Sequence, residues 1–172
     1  KVYLFDVYGR GHAKFYQEVW VPLKDGRIVP EVDGVKYSHL SVIQRYANGK
    51  RHIVNGLFKG VSIDRGAVAT FWPAPKPYFV VVGEDSAEMC QCVRKVDTYA
   101  GACIVTEDGA EKAVMPLDIY GVMANMTVSE LTAAASAIDT ALEELGNSNE
   151  GEPVVNKLLS LFISLHRFRF MA

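Results

Sequence analysis

A chain of 172 residues with 49% hydrophobic and 22% charged side chains is long enough for one domain with a real core and too apolar for a disordered segment. Eighteen Lys and Arg against 20 Asp and Glu leave a net charge of -2, which gives no general attraction for phosphate backbones or anionic lipid, so neither nucleic acid nor membrane is an expected partner. The longest apolar stretches fall short of the ~20 residues of a membrane span or are interrupted by polar groups. No signal-peptide pattern opens the chain, and Cys90, Cys92 and Cys103 form no framework spacing, which points to reduced thiols and a cytoplasmic setting.

The first third reads as strands and tight turns. Residues 2–7, 19–23 and 27–29 have β character, and Asp25-Gly26 and Asp33-Gly34 tolerate the positive φ of hairpin loops. Residues 38–46, 53–63 and 67–71 continue as central strands punctuated by glycines. A strand, helix, strand pattern follows. Residues 78–82 form a continuous apolar run, and Asp85 caps a helix with Glu88 three residues on. Met89, Cys92, Val93, Val96 and Ala100 then recur on one face, and Gly101 stops the helix. A strand at 102–106, the turn Asp108-Gly109 and a strand near 112–115 complete a right-handed βαβ unit with an appended hairpin.

The second helix is announced by Thr127 and Glu130, spaced as a capping box, and by an apolar stripe of Leu131, Ala134, Ala135, Ile138, Ala141, Leu142 and Leu145 before Gly146; it should pack on a sheet face. Residues 147–152 are a polar linker, and the tail from 153 is either a short helix leading into a strand or one edge strand. With no repeat or low-complexity tract, residues 1–172 read as a single α+β domain. Its sheet is mixed and largely antiparallel, with the βαβ unit and two main helices packed on it.

The residues offer little catalysis of their own. A metal site needs several converging ligands and usually shows a close pair. His12, His39, His52 and His166 are far apart, and Cys90 and Cys92 on a helix point roughly 200° apart, so Cys92 is expected in the core and Cys90 near the surface. Gly9-Arg10-Gly11 lacks the third glycine and the following helix of a dinucleotide fingerprint and reads as a loose turn. No Gly-x-Ser-x-Gly elbow is present. No catalytic residue, metal ligand or cofactor is therefore assigned within the chain. Lys50-Arg51-His52 could meet an anion, although such clusters are usually solvated turns. The aromatic and proline-rich run from Phe71 to Phe79 could stack on a planar ligand or simply pack on the core.

The run Gly56-Leu57-Phe58-Lys59-Gly60, then Arg65-Gly66-Ala67-Val68-Ala69, then Val81-Val82-Gly83-Glu84-Asp85 and a helix resembles the C-terminal domain of adenine deaminases of the amidohydrolase superfamily. Pro116-Leu117-Asp118-Ile119-Tyr120-Gly121-Val122-Met123 is similar to that family's Pro-Leu-x-Ile-x-Gly-Leu-Met. The resemblance implies a hydrolase of purine metabolism in which a barrel, on the same or another chain, holds a dinuclear divalent metal centre (Mn or Fe) and this domain supplies a lid or subunit contact, with homo-oligomers possible. It also implies that this chain is a segment of a longer one. Catalytic members carry His-Asp-Ser-His-Asn where this chain has Ala74, Pro75, Lys76, Pro77 and Tyr78. The family's Gly-Thr-Gly-Asn-containing loop is replaced around residues 46–55, where Gly49, His52 and Asn55 retain similar chemistry. Ala and Pro side chains offer no donor or acceptor, so a role in proton transfer is lost there. The alternative is a stand-alone interaction or small-molecule-binding module. Lys50, His52, Asn55, Lys59, Trp72, Lys76 and Tyr78 are the candidate ligand contacts under either reading.

Overall fold

The computed structural model describes residues 1–7, 14–45, 51–72, 78–147 and 153–158. Strands β1 (Val2–Val7), β2 (Lys14–Val19), β7 (Ser38–Arg45), β8 (Arg51–Lys59), β9 (Ala67–Trp72), β10 (Tyr78–Gly83), β11 (Ala102–Glu107) and β12 (Ala110–Pro116) build one eight-stranded sheet in the order β12-β11-β9-β10-β7-β8-β1-β2. The β1–β8 pairing is parallel and every other neighbour pairing in it is antiparallel. Between β2 and β7 lie two small hairpins, β3 (Leu23–Lys24) with β4 (Arg27–Ile28) and β5 (Glu31–Val32) with β6 (Val35–Lys36). Their turns are Asp25-Gly26 and Asp33-Gly34, with φ of 52° and 74°, and 52° and 76°, the pair of positive angles that a two-residue hairpin of right-handed twist demands. The α+β expectation holds.

Two helices cover the sheet from opposite sides. Helix α1 (Ser86–Val96) is capped by Asp85, whose carboxylate accepts from the N–H groups of Ala87 and Glu88, and it lies over β9, β10 and β11. It buries Met89, Cys92 and Val96 against Ala69, Phe79 and Ile104. Helix α2 (Val128–Glu144) begins at a complete capping box of Thr127 and Glu130 and packs on β12 and β11. Its Ile138, Ala141 and Leu142, with Leu145, meet Val68, Val80, Val105 and Phe58 on the other face. Alternation along each strand divides its side chains between the two cores. Each fully buried Val, Leu, Ile or Phe contributes roughly 1.5–3 kcal/mol.

Several sequence boundaries move. The 19–23 strand is instead β2 ending at Val19 and β3 starting at Leu23; the intervening Pro22 lacks the N–H a ladder needs. The 53–63 strand stops at Lys59, although Val61 and Ile63 are buried. Residues 61–64 carry the crossover from β8 to β9 beneath the end of α2 and give their backbone groups to other partners: Ser62 N–H to Asn147 Oδ1 at 3.1 Å, Ile63 N–H to Ser38 Oγ at 3.0 Å and Asp64 N–H to the Leu145 carbonyl at 2.8 Å. The parallel strands β10 and β11 joined by α1 are not neighbours; β9 lies antiparallel between them. Asp97, not Gly101, caps α1, and Ala100 lies beyond the helix. Gly101 is required for another reason. A Cβ there would run into the backbone of Gly121 and Leu117, so glycine permits the segment after β12 to close over the start of β11. Residues 154–158 are helical, and the rest of the tail, like Gly9-Arg10-Gly11, lies outside the described residues.

Candidate functional site

The alternating directions of the strands place the starts of β1, β8, β10 and β11 and the ends of β2, β7, β9 and β12 at one end of the sheet. The segment after Pro116 leaves from this end. Register lines up the candidate residues there: Trp72 pairs with Tyr78, Tyr78 with Gln44, and Gln44 with His52. Tyr78 and Gln44 are buried and His52 is exposed. The depression among Val42, Gln44, His52, Val54 and Tyr78 is too small for a water molecule.

Other candidates lie elsewhere. Asn55 projects from the middle of β8 on the α1 side, where its Oδ1 accepts from Ser41 Oγ at 2.7 Å. Lys59, at the far end of β8, donates to Asp6 Oδ2 at 2.9 Å. Lys50 and Lys76 lie outside the described residues. The five candidates among the described residues thus form a row of three at one sheet end, one residue in a groove, and one at the opposite end.

The groove is the feature that sequence reasoning missed. It encloses about 630 Å³ between α1 and strands β7 and β8, and Arg51, Asn55, Ser41, Cys90 and Arg94 are among its lining residues. Arg51 stood in the basic cluster read as a turn, and only the strand register brings it opposite α1. Among the described residues no three His, Cys, Asp or Glu side chains gather to hold a metal ion, so they do not fit a dinuclear centre. Burial pushes the Cys92 thiol up to about 12 and raises that of Cys103 further, while Cys90 is exposed. The division expected for Cys90 and Cys92 holds, and neither buried thiol is a ready nucleophile.

A second missed feature surrounds the short turn in which Ile119 bridges Met123. Ile119, Tyr120, Met123, Met126, Val128 and Leu131 are large apolar side chains left exposed, Tyr120 at 71% and Val128 at 83%. Tyr120 adopts φ of 56°, a conformation that side chains other than Gly, Asn and Asp adopt rarely. Asp118 Oδ1 accepts from Asn125 N–H at 3.0 Å and closes the loop.

The family model for the adenine deaminase C-terminal domain matches residues 15–165. The chain belongs to the adenine deaminase C-terminal domain family. Among similar proteins is an adenine deaminase of Oceanobacillus iheyensis, 34% identical over 105 residues, 61% of this chain and 18% of the relative. Another, from Kosmotoga olearia, is 31% identical over 123 residues, 72% of this chain and 21% of the relative. The adenine deaminase of Paracoccus denitrificans is 27% identical over 144 residues, 83% of this chain and 24% of the relative. The chain therefore spans about a fifth of the length of these relatives. This adenine deaminase C-terminal domain contains no helix, among its described residues, that is long and apolar enough to cross a membrane.

Proposed function

We propose that the chain is the C-terminal domain of an adenine deaminase-type enzyme of the amidohydrolase superfamily, working in cytoplasmic purine metabolism, and that it forms a lid or subunit contact against a preceding catalytic barrel. The parent reaction replaces the amino group of adenine or a related heterocycle with oxygen from water and releases ammonia. A dinuclear Mn or Fe centre in the barrel would supply the activated water. Support comes from the family match and from relatives bearing the name adenine deaminase.

The observation that carries the docking role is the exposed apolar surface formed by the loop from Ile119 to Met126 and the first turn of α2 at Val128 and Leu131. The loop leaves the sheet at the end that also holds His52, Trp72 and Tyr78. Exposed apolar side chains gathered this densely mark interaction surfaces, and the tight turn and capping box hold them in place. In the full-length protein, Tyr120→Glu combined with Met123→Glu should lower deaminase activity at least about tenfold and expose the junction between barrel and domain to proteolysis, because two carboxylates cannot be buried unpaired. Unchanged activity together with unchanged protease resistance would refute docking through this loop.

A second reading, a stand-alone interaction or ligand-binding module, is favoured by the replacement of the family's His-Asp-Ser-His-Asn run with Ala74-Pro75-Lys76-Pro77-Tyr78. The intact mass of the native protein separates the two: a species larger by a barrel of ~250 residues supports the first, and one of 19.0 kDa the second.

A further inference from the structure

Helix α1 shields β9, β10 and β11, and among the described residues no helix covers the β7 and β8 part of the same sheet face. The floor of the resulting groove is apolar: Ile43, Ile53, Phe79 and Val81, with Met89 and Val93 as its helical wall. Ile53 is 55% exposed within a strand, an unusual position for a large β-branched side chain. The volume of about 630 Å³ falls within the ~300–1,000 Å³ of small-molecule sites.

The polar groups have one sign of preference. Ser41 Oγ donates to Asn55 Oδ1, which occupies the amide oxygen and leaves the amide N–H groups to donate elsewhere. Arg51 from β8 and Arg94 from α1 both line the groove, against the single carboxylate of Asp97. Neither arginine has an ion-pair partner among the described residues. Arg94 alone could be explained as a cation in the last turn of α1. That account does not reach Arg51, which sits at the start of a β-strand and not on the helix.

We infer that this groove binds a small organic anion with a flat apolar body, its ring against Ile53 and Phe79 and its carboxylate held by the Arg51 and Arg94 guanidiniums and the Asn55 amide. Guanidinium groups recognise carboxylates through paired N–H donors. The site is separate from the loop proposed to dock on the barrel and does not depend on that role.

The deciding experiment is titration of the full-length protein with 1-naphthoate, followed by calorimetry and by amide chemical shifts, with 1-naphthamide as the uncharged isostere. Saturable one-to-one binding of the anion is expected, with naphthamide at least about tenfold weaker. Arg51→Gln and Arg94→Gln should each weaken the anion about tenfold, the scale of losing a charged hydrogen-bond partner, and raised salt should weaken it further. Cys90→Trp, at an exposed position lining the groove, should block binding while leaving the thermal midpoint near that of the parent. Absence of saturable binding up to millimolar naphthoate, equal binding of naphthamide, or indifference to both arginine substitutions in folded variants would each overturn the inference.

Discussion

His39 shows how one side chain couples the fold to pH. It lies on β7 between Gly83 of β10 and Leu57 of β8, and partial burial lowers its pKa, with Glu84 and Asp85 pulling the other way. An unfolded histidine titrates near ~6.5. Above that pH neither state is protonated and His39 costs nothing. Below it the unfolded chain takes a proton that the folded chain refuses, so stability falls with pH until His39 protonates in the fold as well. The carboxylates of Glu18, Glu107 and Glu130, held below their ordinary range chiefly by hydrogen bonds from Lys1, Lys112 and Thr127, lose their contributions only at lower pH. Between pH 7 and 5 the thermal midpoint should therefore drop more steeply for the parent than for His39→Gln. Parallel slopes would show that His39 is not the group responsible. None of this is legible in the sequence, where His39 is one polar residue in a β run; its burial depends on β10 and β8 arriving on either side.

At the scale of elements, legibility follows from how local the signal is. Both helices carry an apolar period and a cap within a few residues, so their starts are read correctly at Asp85 and Thr127. The Asp-Gly turns are equally self-contained, and Asp108-Gly109, with φ of 51° and 71°, joins β11 to β12 as expected. Ends set by distant chain are misread. Val61 and Ile63 alternate as a strand would, yet the N–H groups of Ser62 and Ile63 are taken by Asn147 and Ser38, residues far away in sequence. Gly101 looks like a helix stop because helix stops are its commonest use, whereas the backbone pressing on it comes from Leu117 and Gly121. The capping box offers a direct check. Thr127 Oγ1 accepts from Glu130 N–H at 3.3 Å, and Glu130 Oε2 accepts from Thr127 N–H at 2.8 Å. Thr127→Ala should cost about 1 kcal/mol, a fall of roughly 2–4 °C in midpoint for a domain of this size. Thr127→Ser should restore most of it, and a threonine-to-alanine change without effect would mean that α2 is held by its packing alone.

The described residues build two cores that share one sheet, and the groove and the exposed loop are consequences of how α1 and α2 are distributed over its eight strands. Composition and period specify that there is a sheet with helices upon it. They do not specify that α1 lies over β9 to β11 and stops short of β7, because that depends on β9 inserting between β10 and β11. The candidate residues chosen from sequence are scattered for the same reason: His52, Trp72 and Tyr78 share a row, while alternation along β8 sends Asn55 to the opposite face from His52. The shared sheet also has an energetic consequence. Strands β9, β10 and β11 send alternate residues into both cores, so neither core can open without the strands that hold the other. Ile104 is fully buried on the α1 side and Ile138 on the α2 side, and truncating either to alanine should cost about 2–5 kcal/mol through lost burial and the cavity left behind. Denaturant unfolding followed by far-ultraviolet circular dichroism and by intrinsic fluorescence should give one coincident transition for the parent, Ile104→Ala and Ile138→Ala alike, shifted to lower midpoint in each variant with the slope preserved. Two separated transitions, or a variant that moves one probe and not the other, would show that the α1 and α2 sides unfold independently despite the strands they share.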